Sequence, residues 1–330
     1  MGPTVLETAA NAVQARTRIG PHIYQTPLLP AKTTGKAQGA TVLFKTENFQ
    51  LTGSFKVRGA TAKISAHPAD GTPLIAASTG NFGIGCALAA SKLGRRLTVV
   101  VPENVQPAKL AKIRAYGGVD VIMHGAECGA SERHARGLAA SGEYVYVSPY
   151  NDPDVAAGQG TTGLEILEQC PQVDNIFISM GGGGLISGIG SVVKAFNPRT
   201  KIYGVSTANT QALAASMAAG RVVETEHLET LADAVAGGMD EDSITLPLAM
   251  EVVDEVLVCK EEEIATALRS LALEEGMMVE GSAALALAGF NCVVQKLVGQ
   301  TSVILLCGGN FDQDVIMRTV IQTSASGGGP

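Results

Sequence analysis

The sequence predicts an α/β fold built on mostly parallel sheet, and three observations carry that expectation. Short apolar runs alternate with stretches of helical periodicity along nearly the whole chain. Three of those runs end in Gly-containing turns: LIAA-STGNFGIG (Leu74 to Gly85), IFISM-GGGGLISGIG (Ile176 to Gly190) and VILLC-GGN (Val303 to Asn310). Gly supplies 39 of the 330 residues, against a usual ~7%, as tight βα turns and close backbone approaches require. The length suits two lobes, because single cores stop growing near ~250–300 residues.

Taken in order, Thr4-Val5-Leu6-Glu7 forms a capping box that starts a helix running to about Arg18, and Gly20-Pro21 ends it. Strands are expected at Thr41–Glu47, Pro73–Ala77, Leu97–Pro102, Val119–His124 and Tyr144–Ser148, then at Asn175–Met180, Lys201–Ser206, Glu255–Cys259 and Thr301–Cys307. Helical segments fall between most of them, among them Pro107–Tyr116 and Glu261–Glu275. The Ser324–Pro330 tail is polar and Gly-rich and is expected to be disordered. About 23 residues follow Cys307, too few for a further regulatory domain, which needs at least ~50.

Composition narrows the partners. The net charge is −7 and no run of Lys or Arg occurs, so the footprint of a nucleic-acid binder is missing. The longest uncharged stretches, Tyr203 to Gly220 and Ile178 to Val193, are rich in Gly, Ser, Thr or Asn and do not read as membrane spans. The N-terminus carries Glu7 and lacks the pattern of a signal peptide. Six cysteines lie far apart, with no Cys-X-X-Cys pair and no His at ligand spacing. They fit reduced thiols in a cytoplasmic protein better than disulfides or zinc. A small soluble ligand is the expected partner.

Ligands in open α/β sheets collect beyond the carboxyl ends of strands, so the three glycine turns define one expected site. Gly181 to Gly184 precede a helix beginning at Leu185, a geometry whose backbone N–H groups and helix dipole cradle an anion such as phosphate. The dinucleotide fingerprint fails: its last Gly falls on Ile186 or Ser187, depending on the starting Gly. The triphosphate loop also fails, because Gly35-Lys36 is followed by Ala37 and Pro30 stands in the place of its first Gly. A single phosphate on a compact cofactor remains.

Lys56, in Asn48-Phe49-Gln50-Leu51-Thr52-Gly53-Ser54-Phe55-Lys56-Val57-Arg58-Gly59-Ala60, sits between an aromatic and an apolar residue where a helix begins. Desolvation and the helix N-terminus both disfavour its ammonium form, and a neutral amine is what Schiff-base chemistry requires. A lysine in such a mixed segment is ordinarily a solvated surface cation, so the neighbouring motifs decide.

NFQLTGSFKVRGA, STGNFG, AGQGT (Ala157 to Thr161), GGGGL and CGGN occur in an order and spacing that resemble the serine/threonine dehydratase family, nearly from end to end. These are fold-type II pyridoxal-phosphate enzymes, related to serine racemase, to hydroxyaspartate dehydratase and, more distantly, to the tryptophan synthase β chain. The resemblance implies two open, twisted, mostly parallel sheets with helices on both faces. It implies a large cofactor-binding domain from residues 1–71 and 149–330, a small domain from 72–148, and a homodimer. By position, Lys56 would hold pyridoxal 5'-phosphate as a Schiff base and act as the catalytic base. Phe55 would pack on the ring, and Asn81 would meet its 3-hydroxyl. Gly181, Gly182, Gly183, Gly184 and Leu185 would present N–H groups to the phosphate, and Cys307 would face the ring nitrogen. Ser78, Thr79, Gly80 and Asn81 would hold the substrate carboxylate.

The implied reaction is elimination of water from a β-hydroxy amino acid, giving a 2-oxo acid and ammonia. The hydroxyl of Thr79 leaves open a serine-type racemase working with Lys56 and Thr79, and a non-catalytic phosphate-ligand protein is the alternative outside enzymes. Three positions depart from the family. Phe82 replaces the usual His, which implies a more apolar pocket. Ser206 and Ala212 stand where carboxylates hold the family's divalent cation, so no metal is expected there. Glu280-Gly281-Ser282 has Gly for the usual Pro, which leaves open whether Glu280 lines the cofactor or is structural.

Overall fold

The computed structural model describes residues 2–321; the expected disorder of Ser324–Pro330 lies outside them. The chain opens with α1 (Val5–Ile19), whose Thr4–Glu7 capping box is formed on both sides. Then come β1 (Leu28–Pro30), β2 (Thr41–Lys45), α2 (Lys56–Ala66), β3 (Leu74–Ala77), α3 (Asn81–Lys92), β4 (Leu97–Val101), α4 (Pro107–Arg114), β5 (Val119–Met123), α5 (Cys128–Ala140) and β6 (Val145–Tyr146). The second half runs α6 (Pro153–Gln169), β7 (Asn175–Ser179), α7 (Gly184–Phe196), β8 (Lys201–Thr207), α8 (Ala212–Ala219), α9 (Thr245–Val252), β9 (Glu255–Cys259), α10 (Glu261–Ser270), α11 (Gly281–Val293), β10 (Thr301–Leu305) and α12 (Gln313–Ile316).

All nine expected strands form. They divide between a six-stranded sheet, β1-β2-β10-β7-β8-β9, and a four-stranded sheet, β5-β4-β3-β6. Every pairing is parallel except β1 against β2. The chain starts in the large sheet, builds the small one from residues 74–146, and returns through β7. β10 slots between β2 and β7, with Leu305 beside Lys45 and Ile304 beside Phe177, so both ends of the chain share one ladder.

β1 was not expected, and the reason is physical. Its three residues include Pro30, which has no N–H to donate, so its pattern is too short and interrupted to read as a strand; it survives as an edge paired to β2. The expected Glu261–Glu275 helix is regular only to Ser270; Leu271–Glu275 widens into a π turn that ends at Gly276 in the left-handed region.

The large core packs the apolar strands β7, β8 and β10 against the Ala- and Leu-rich α11, with Phe177 stacked on Tyr203 and edge-on to Phe290. A separate core fills the small sheet, from Leu74, Val99 and Val101 to Phe82 and Ile113. Helices α6 and α7 touch backbone to backbone. A side chain at Gly188 would drive into the Ala156 carbonyl, so only Gly permits that approach. The three glycine turns converge on one cavity.

Candidate active site

One cavity of about 1190 Å³ is lined by Phe55, Lys56, Ser78 to Phe82, Gly181 to Leu185, Glu280 and Cys307, together with Tyr150 and Asn310. The structure thus brings together every residue that the motifs singled out for the site, from five separate stretches of chain.

Lys56 opens α2 and projects its amine to the cavity floor. The Nζ donates to the Pro149 carbonyl at 3.1 Å and lies 5.1 Å from the centre of the Phe55 ring and 5.6 Å from that of Phe82. Burial pulls this amine down to about 8, while Cys307, Cys86 and Glu280 resist the shift. The same burial pushes the Cys307 thiol well up, as does the Glu280 carboxyl, so Cys307 stays a neutral thiol at the base of the cavity.

The glycine run fits an anion and little else. Gly183 caps α7 at φ 89°, and the Thr245 hydroxyl fixes the loop by donating to the Gly182 carbonyl at 2.6 Å. A Cβ at Gly182 would lie 2.6 Å from the Tyr150 ring, one at Gly184 3.0 Å from the Tyr150 backbone, and one at Gly181 3.1 Å from Val235. Tyr150 is held in place where its hydroxyl accepts from the Asp240 N–H at 2.7 Å. Side chains here would collide with Tyr150 and Val235, so glycine lets the turn pack closely, and the thirteen-residue α7 brings its N-terminal N–H groups to the cavity, as anion binding requires. The donor set and the nearby amine therefore suit a phosphate-bearing aldehyde.

Across the cavity, Gly80 caps α3 and Asn81 begins it, so the Ser78–Asn81 turn presents a second helix N-terminus. Ser78 Oγ accepts from Gly80 N at 3.2 Å. Asn81 is locked by two neighbours: its Nδ2 donates to both Glu280 oxygens at 3.0 Å, and its Oδ1 accepts from Asn310 Nδ2 at 2.8 Å. Burial raises Glu280 to about 7 against the pull of the Asn81 hydrogen bonds; Asp233, nearby, raises it further. The departure at Gly281 also has a steric reason, since any Cβ there would collide with the Leu231 carbonyl; the glycine lets the Leu231–Asp233 loop close over the cavity.

Sequence reasoning missed three contributors. Arg58 belongs to the quoted lysine motif but is a fully buried cation that binds Glu47 and Glu165, and it anchors the turn carrying Lys56. Asn310 closes the CGGN turn, and its hydrogen bonds to Thr52 and Asn81 tie the lysine segment to α3. Both had a signal in the sequence, their place inside motifs. Tyr150 had none, since its role comes from packing against distant glycines.

Residues 19–308 match the family described as "Pyridoxal-phosphate dependent enzyme". The L-threonine ammonia-lyase of Thermotoga maritima is 38% identical over 303 residues, which are 90% of this chain and 74% of that protein. The L-threo-3-hydroxyaspartate ammonia-lyase of Saccharomyces cerevisiae is 33% identical over 310 residues, 93% and 94% of the two chains. Among solved structures, maize serine racemase superposes with a TM-score of 0.87 at 29% identity, over 96% of this chain and 98% of that one. A lysine amine sharing one cavity with a glycine-rich helix N-terminus and a match over most of the chain agree: this protein belongs to the pyridoxal-phosphate-dependent enzymes, with the two-sheet architecture of fold type II.

Proposed function

We propose that this enzyme eliminates water from a β-hydroxy α-amino acid of the serine/threonine type and releases a 2-oxo acid and ammonia. The observation that carries the reading is the Lys56 amine, lowered to about 8 and sharing one cavity with the Gly181–Gly184 cradle. The ammonia-lyase names of the relatives support the reaction class.

Bound pyridoxal phosphate supplies an electron sink at the α-carbon of an amino acid. The protein's residues supply the rest. The N–H groups of Gly181 to Leu185 would hold the phosphate, Phe55 would pack on the ring, and Cys307, a neutral thiol, would offer the ring nitrogen no charge. Ser78, Thr79, Gly80 and Asn81 receive the substrate carboxylate at the start of α3. Lys56 would hold the cofactor and would be the base nearest the α-proton. Lys56 would take the α-proton; the β-hydroxyl would depart as water on gaining one proton, so that α-hydrogen and hydroxyl leave together as H2O in the net balance, and a second water would hydrolyse the unsaturated amine to the 2-oxo acid and ammonia.

Racemisation is the second reading. It uses Thr79, which lines the cavity, as the acid opposite Lys56, and the serine racemase fold makes it concrete. A phosphate-ligand binding protein without catalysis is the third. We further read residues 1–71 and 149–330 as the large domain and 72–148 as the small one, which matches the division of the sheets. We also read the enzyme as a cytoplasmic homodimer. Its cysteines are free, and no helix among the described residues is long and apolar enough to cross a membrane.

The test is a panel of L-serine, L-threonine and the hydroxyaspartates, assayed for ammonia and 2-oxo acid with chiral analysis of the remaining substrate. Ammonia with unchanged chirality supports elimination, whereas inverted substrate without ammonia supports racemisation. Borohydride reduction and peptide mapping must label Lys56; label elsewhere, or none, overturns both enzyme readings.

A further inference from the structure

Outside the cavity, the fold gathers two thiols and a carboxylate that the sequence keeps apart. Cys259 ends β9 and is fully buried, Glu263 lies in the first turn of α10, and Cys292 lies in the last turn of α11. Their ligand atoms all fall within 4.8 Å of one another, and Cys292 Sγ is 3.7 Å from Glu263 Oε1. None of the three residues lines the catalytic cavity.

We propose that Cys259, Glu263 and Cys292 form a binding site for a zinc-class divalent cation. Tetrahedral zinc has bonds of about 2.3 Å to sulfur and about 2.0–2.2 Å to oxygen, which places neighbouring ligand atoms roughly 3.5–3.8 Å apart. The trio needs only small adjustments to reach that spacing. Two thiolates favour a borderline-soft ion over magnesium or calcium, which take oxygen ligands. Water completes the fourth position, since Cys292 and Glu263 both reach solvent.

The carboxylate is already aimed. Glu263 Oε2 accepts the Lys260 N–H at 2.7 Å as part of the cap of α10, and this leaves Oε1 turned toward Cys292. Binding releases the two thiol protons to solvent, so uptake weakens as the pH falls. The cation would pin the end of edge strand β9 to α10 and α11. A separation of 33 residues between the two cysteines, with a carboxylate in place of His, conceals the site from any motif search.

The test uses the cofactor-loaded enzyme, fully reduced and freed of adventitious metal by chelation. Titration with cobalt(II) under anaerobic conditions should give a tetrahedral visible band in the red, away from the yellow cofactor absorption, and zinc should abolish it at one equivalent per chain. Cys292→Ala and Glu263→Gln should each weaken zinc at least tenfold, with ammonia release unchanged in both. Two results overturn the site: reduced wild-type enzyme that takes up no more zinc than Cys292→Ala, or a cobalt spectrum that is octahedral and lacks thiolate charge transfer. Finding Cys259 and Cys292 joined as a disulfide that, once reduced, still takes up no zinc also overturns it.

Discussion

Two cations on the first turn of α2, Lys56 and Arg58, are both taken out of water, and the protein treats them in opposite ways. Arg58 faces inward between Glu47 and Glu165, with contacts of 2.7–2.8 Å. Lys45 joins Glu165 from the other side at 2.5 Å, and the Thr26 hydroxyl donates to Glu47 at 2.5 Å. Burial alone would lower the Arg58 guanidinium, but the two carboxylates win and raise it. Burial likewise would raise Glu47, and Arg58 with Lys45 holds it below the usual carboxylate range. Lys56 donates to a carbonyl and lies near two aromatic rings, two thiols and the Glu280 carboxyl, whose pull is weaker than the cost of burial, so its amine falls to about 8. The lesson is that burial does not decide the state of a charge; the partners do. One turn of helix therefore carries a permanent cation that locks its position and a titratable amine that lines the cavity.

The sharpest break in this comparison is Lys56→Ala. Ammonia release should fall by at least ~10³-fold, while urea unfolding of the cofactor-free protein should show no loss of stability, because a strongly desolvated amine has been removed. A comparable loss of stability would mean that Lys56 is structural after all.

Arg58→Met should reverse the pattern. Two buried carboxylates lose their partner, and stability should drop by about 3–5 kcal/mol in denaturant titration. Activity should be retained in the fraction that stays folded. A drop below ~1 kcal/mol would show that the network relaxes or admits water.

Glu280 sits on the lysine side of the comparison. Its carboxyl, raised to about 7, holds a proton in the folded state that the unfolded chain has already lost, so it contributes a loss of stability as pH rises from 4.5 to 7. Glu280→Gln should remove that slope and leave the variant more stable above pH 7 by on the order of 2–3 kcal/mol. Lys56 acts in the other direction at higher pH. Its folded value lies below 10.5, so cofactor-free protein should gain stability between about 8 and 10.5, and Lys56→Ala should abolish that gain.

Gly182→Ala tests the cradle. The added methyl meets the Tyr150 ring, and cofactor affinity should fall by about tenfold or more, roughly 1–2 kcal/mol, in equilibrium dialysis. The smallest effect is expected from Phe82→His, which replaces one of the two rings near the Lys56 amine. It should move KM for polar substrates by a few-fold, about 0.5–1 kcal/mol, with kcat nearly unchanged.

How much of this was legible follows the physics of each feature. The strands β2 to β10 were readable because buried parallel strands are continuous apolar runs bounded by turn residues. β1 was not, because pairing rather than pattern creates it. That Lys56, Gly181 to Gly184, Asn81 and Cys307 share one cavity was readable because each sits in a short motif. Glu47 and Glu165 carry no motif; only the packing of α6 against α2 brings them to Arg58.

By itself the sequence determined the alternation of strands and helices, the three glycine turns and the identity of the amine, since each depends on residues adjacent along the chain. Tertiary structure alone decided which charges are paired. It paired Arg58 with two carboxylates, left Lys56 hydrogen-bonded to a carbonyl, and brought Cys259 to Cys292. The reason is that electrostatic state depends on distance through space and on exclusion of water, and neither is set until the sheets and helices have packed.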